Sequence, residues 1–110
     1  MAGGFEKREK GFEAKWAHDE ELRFKVYARR NKLLGVWAAG QLGLGGGAVD
    51  AYAKEVVAAD FDRPGEEDVF EKVRKDFDAK GVAVSDHIIR RQMADLLETA
   101  KREIETEVKR

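Results

Sequence analysis

The chain has 110 residues, 39% charged and 43% hydrophobic, with one proline and no cysteine. That length sets one small domain, and the missing cysteine excludes a disulfide scaffold, a cysteine metal site and a thiol nucleophile, which points to a reducing, cytoplasmic setting. Lys and Arg total 21 against 22 Asp and Glu, so no general attraction to nucleic acid is expected, and no apolar run approaches the ~20 residues of a bilayer span.

Strand signals are poor, because β-branched residues are sparse and no useful segment alternates at period 2. The chain opens with Phe5, Phe12 and Trp16 set among Glu6, Lys7, Arg8, Glu9, Lys10, Glu13 and Lys15. Their spacing puts all three aromatics on one face of a helix. Two arrangements satisfy that pattern: an arm that is partly disordered alone and helical when docked into a groove, or a segment folded back to extend the core.

From about Phe12 to Leu42 no proline occurs, and Gly35 and Gly40 are the interior weak points of one long helix with Val26, Leu33, Leu34, Trp37 and Ala38 on one side. At ~1.5 Å per residue such a helix runs ~45 Å, so its N-terminal half is expected to overhang the bundle. Gly43-Leu44-Gly45-Gly46-Gly47 must be a loop. A further helix carries Val49, Tyr52, Ala53, Val56, Val57 and Phe61 and stops before Pro64-Gly65. Glu66, Glu67 and Asp68 open the next, whose stripe is Val69, Phe70, Val73 and Phe77 and whose end is marked by Gly81. Ser85 caps the last helix, Val84 and Ile89 form a staple, and Ile88, Ile89, Met93, Leu96, Leu97, Ala100, Ile104 and Val108 make its apolar stripe. The expected fold is therefore all-α: a four-helix bundle-like domain over 17–110 with a protruding, partly disordered N-terminal arm over 1–16.

Chemistry is sparse along this chain. His18-Asp19-Glu20-Glu21 reverses the Glu-x-x-His order of bundle metal sites and is not repeated, so no metal site is assigned. With one serine and two histidines no catalytic constellation is assigned either, and an enzyme is not expected. Arg23, Lys25, Arg29, Arg30 and Lys32 place five cations in ten residues without an acid, while Asp60 to Asp78 carries eight acids against four bases. Pairing inside the bundle is the simplest use of that block. The glycine loop lacks the Lys-Ser or Lys-Thr and the preceding strand of a P-loop.

Gly11-Phe-Glu-Ala-Lys-Trp-Ala-His-Asp-Glu-Glu-Leu-Arg-Phe-Lys, the run Ala28-Arg-Arg-Asn-Lys-Leu-Leu-Gly, Ala51-Tyr-Ala-Lys-Glu-Val-Val, Pro64-Gly-Glu-Glu-Asp-Val-Phe and Val84-Ser-Asp-His-Ile-Ile-Arg-Arg together resemble the zeta subunit of alphaproteobacterial F-type ATP synthases. The resemblance covers nearly the whole chain. It implies a four-helix regulatory subunit, peripheral to the membrane through the synthase and monomeric when free. Its N-terminal segment would insert into the catalytic head and block rotation in the hydrolytic direction. By position the resemblance assigns the inhibitory contacts to Phe5, Arg8, Phe12, Lys15 and Trp16. It differs from the family pattern at Glu6-Lys7 and Gly11, which make this arm less acidic and less helical. The alternative function is a non-inhibitory module that binds ATP or ADP weakly, through Arg29, Arg30 and Lys32 with Gly45 and Gly46; no other cofactor is expected.

Overall fold

The computed structural model describes residue 12, residues 14–59 and residues 66–108. Phe12 and residues 14–18 are helical and constitute α1. Four further helices follow: α2 (Glu20–Gln41), α3 (Gly47–Ala59), α4 (Glu66–Lys80) and α5 (Asp86–Val108). Among the described residues there is no strand, so the fold is all-α as the periodicity requires. No helix among them is long and apolar enough to cross a membrane.

The single helix expected from Phe12 to Leu42 is two. Asp19 adopts an extended conformation, φ −104° and ψ 110°, and its carboxylate accepts the Leu22 N–H at 3.1 Å. A side chain able to satisfy a free first-turn amide competes with continuing the helix, and here it wins. The expected overhang is corrected too. α5, with 23 residues, matches the 22 of α2 and packs alongside it, so the N-terminal half of α2 has a partner that the shorter α3 and α4 do not supply.

Local signals account for the other boundaries. α2 ends in a Schellman motif: Leu44 N–H donates to Ala39 O and Gly43 N–H to Gly40 O, with Gly43 at φ 76°. α4 ends the same way, Val82 N–H reaching Phe77 O and Gly81 at φ 69°. Ser85 Oγ accepts the Ile88 N–H at 3.2 Å and caps α5. No serine starts α3; instead the carbonyls of Gly45 and Gly46 accept the N–H groups of Ala48 and Val49.

Among the described residues two apolar clusters form the interior. The larger joins Leu34, Ala38, Tyr52, Val56, Val69, Phe70, Val73, Phe77, Ile89 and Met93, where α2 to α5 meet. The smaller joins Phe12, Trp16, Leu22, Val26, Ala100 and Ile104. On the inward stripe of α2 the sequence Val26, Arg30, Leu34 runs from one cluster to the other, and Arg30 and Asn31, both buried, stand between them. Ile88 and Val108, the ends of the expected α5 stripe, are half exposed.

Helix spacing in the larger cluster is set by Gly35. A Cβ built there would lie 2.6 Å from Ala53 Cα, so the missing side chain is what lets α2 and α3 approach. Tyr52 O–H donates to Asp76 at 2.8 Å, and Lys72 bridges Asp76 and Glu55, which ties α3 to α4. Arg74 donates to the Val84 carbonyl and pairs with Asp78 and Asp86, fixing the α4–α5 turn.

Candidate functional site

The aromatic segment and the basic block both lie at the end of the molecule built from α1, the N-terminal half of α2 and the C-terminal half of α5. Phe12 is 8% exposed and Trp16 9%, so in this structure both extend the core. The Trp16 ring meets Tyr27 of α2 edge-on, with centroids 5.8 Å apart and planes at 63°. From α5 the Lys101 ammonium stands 4.6 Å above the indole centroid, and it also pairs with Glu98 at 3.1 Å. An ammonium over an indole face is attracted by the ring quadrupole, more so where water is partly excluded. Lys15 is exposed. Phe5 and Arg8 lie outside the described residues.

Tyr27 and Lys101 were not singled out by sequence reasoning. Lys101 follows Ala100 on the α5 stripe and reads as surface charge, since only the packing of α1 brings a ring beneath it.

The five cations of the basic block have different fates. Arg29 spans to α5, donating to Glu103 at 2.7 Å and Glu107 at 2.6 Å. The hydrogen bonds to Glu107 and Glu103 hold its guanidinium above the ordinary arginine range. Arg30 is buried; its Nε donates to Asn31 Oδ1 at 2.6 Å, its Nη1 stands 3.8 Å from Glu66, and its guanidinium lies 5.4 Å from the Tyr27 ring centre. Pairing within the bundle thus reaches the acidic segment through Arg30 and Glu66, but Arg29 turns to the C-terminal helix instead. Among the described residues Lys25 has only the exposed neighbour Glu21, at 3.4 Å. Arg23 and Lys32 are exposed.

Gly45 and Gly46 sit in the α2–α3 loop. Nine residue steps of helix lead from Lys32 to Gln41, ~13 Å along the axis, so the structure does not bring the glycine loop and the basic block together. Among the described residues no group of three or more His, Cys, Asp or Glu could hold a metal ion.

A family model, ATPase inhibitor subunit zeta, matches residues 1–103. The chain belongs to this zeta family. A protein solved in solution by NMR is 43% identical and superposes with a TM-score of 0.69, over 78% of this chain and 98% of its own. No match is found among the curated proteins compared with the chain. Membership makes this an inhibitor-type regulatory subunit associated with ATP synthase. The zeta match begins at residue 1, so it takes in the N-terminal residues together with the described helices up to residue 103.

Proposed function

We propose that this zeta-family chain suppresses ATP hydrolysis by inserting its N-terminal segment into the catalytic head of the F-type ATP synthase, where the segment blocks rotation. Phe5, Arg8, Phe12, Lys15 and Trp16 are its contacts. The observation that carries the reading is how α1 is attached. Asp19 interrupts the helix between α1 and α2, and α1 is held on α2 and α5 chiefly by Phe12 and Trp16, two side chains that a groove on a partner could bury equally well.

Such an exchange costs little where one apolar surface replaces another, because what the aromatics lose on leaving α5 they regain in the groove. The bundle from α2 onward then serves as the body that stays outside and prevents the segment from passing through.

The test is the hydrolysis rate of the cognate ATP synthase head lacking its own zeta subunit, with the full chain and with a chain deleted through Trp16 added in parallel. Suppression by the full chain alone supports insertion. Equal suppression by the shortened chain overturns it. Adding ATP or ADP with magnesium to the isolated chain, in the same preparation, tests the nucleotide-binding alternative through localised amide shifts.

A further inference from the structure

The smaller cluster lies on one side of α2. On another side, among the described residues, the same end of the molecule is left open. Phe24, Ala28 and Lys32 follow one another at four-residue intervals along α2 and, with Val57 of α3 and Val108 of α5, line a groove of about 610 Å³. Phe24 is 65% exposed and Val108 45%. The vacancy has a simple origin in helix length, since α3 has 13 residues against 22 and 23 for α2 and α5, and Val57 lies in its last turn.

The rim of this groove is cationic. Lys25, Arg29 and Lys32 border it against the single acid Glu107, and Glu107 is already held by Arg29 at 2.6 Å. Lys32 has no acidic partner among the described residues, and Lys25 has only its exposed i,i+4 neighbour Glu21, an attachment worth little and easily exchanged. An apolar floor of side chains from three helices beneath Lys32, unpaired among the described residues, and the weakly held Lys25 is a surface awaiting a cover of opposite charge.

We infer that this groove receives an acidic amphipathic helix from a partner protein, its apolar stripe seated on Phe24, Val57 and Val108 and its carboxylates meeting Lys25 and Lys32. A helix laid along such a groove anchors through residues at three- and four-residue spacing, the same interval at which Phe24, Ala28 and Lys32 recur. The proposal goes beyond the inhibitor reading and does not use the N-terminal segment. It gives the chain a second, separately placed contact with its surroundings.

The test is an NMR titration of the full, isotopically labelled chain with a synthetic peptide of about four helical turns, carrying leucine at helical spacing and glutamate elsewhere. Saturable shifts confined to Phe24, Ala28, Lys32, Val57 and Val108 are expected. The doubly reversed variant Lys25→Glu, Lys32→Glu should weaken binding about tenfold or more and respond instead to the same peptide with lysine for glutamate. Both positions are exposed on a helix, so the variant folds, and its circular dichroism checks that. Equal response of the unaltered chain to the lysine peptide, shifts elsewhere, or no saturable shift overturns the proposal. So does the same set of shifts on adding magnesium ATP, which would make the groove a nucleotide site, or on raising the chain's own concentration, which would make the occupant a second copy. Because no ATPase is present, failure here and failure of the inhibition assay are read independently.

Discussion

The Lys101 ammonium lies 4.6 Å above the indole of Trp16, so a cation from the C-terminal helix closes the pocket in which the N-terminal helix is seated. Replacing the lysine removes an attraction of about 0.5–1 kcal/mol, whereas Trp16→Ala removes most of the contact area and costs up to about 3 kcal/mol. Urea unfolding of the two variants should show that order. In a Trp37→Phe background Trp16 is the remaining indole, and its emission reports directly whether it leaves the bundle when the ATP synthase head is added.

Gly35 and Gly40 lie in the same helix and respond oppositely to alanine. At Gly35 the new Cβ collides with the backbone of Ala53, and prying α2 from α3 costs about 2 kcal/mol or more. At Gly40 nothing lies within 4 Å, so Gly40→Ala gains helix propensity, up to about 1 kcal/mol. Thermal or urea unfolding midpoints that move in the same direction for both would refute this account of the crossing.

Asp19→Ala removes the acceptor of the Leu22 N–H and should lower stability by about 1 kcal/mol. If the break depends on that carboxylate, α1 and α2 gain the option of one continuous helix. The position of Trp16 over α5 should then loosen, seen as a red shift of its emission.

Burial first, and then the hydrogen bond to Asp76, push the Tyr52 phenol far above the ordinary tyrosine range. The folded chain therefore keeps this proton where the unfolded chain releases it. The linked stability is fully present below the unfolded value near pH ~10 and falls as pH rises above it toward the folded value. Tyr52→Phe should be less stable at neutral pH by about 1 kcal/mol and should lack this component of the alkaline decline. Unfolding curves measured from neutral to strongly alkaline pH separate the two chains.

Most helices could be read from the sequence because their ends carry single-residue devices: Gly81 at a positive φ, Ser85 as a cap, and a glycine run that no helix sustains. Asp19 was harder, since an aspartate amid charged residues fits a solvated helix turn as well as a cap, and only the backbone angles separate the two. Gly35 read as a weak point because its role depends on Ala53, eighteen positions away. The partners of the basic block were half legible for the same reason. Charge counting pointed to the segment containing Glu66, which Arg30 approaches, but the choice of Arg29 depends on α5 running beside α2, and no local signal encodes that. At the candidate site, the spacing of Phe12 and Trp16 showed a shared face without showing which surface it meets.

The interior divides at Arg30 and Asn31, and a division in packing is where independent local opening is expected. Hydrogen exchange would resolve two cooperative units, one around Phe77 and Ile89, the other around Val26 and Ile104, each able to open on its own. A segment can then be drawn out of the second unit, or pushed back into it, while the first keeps its shape, much as a latch moves within a fixed frame.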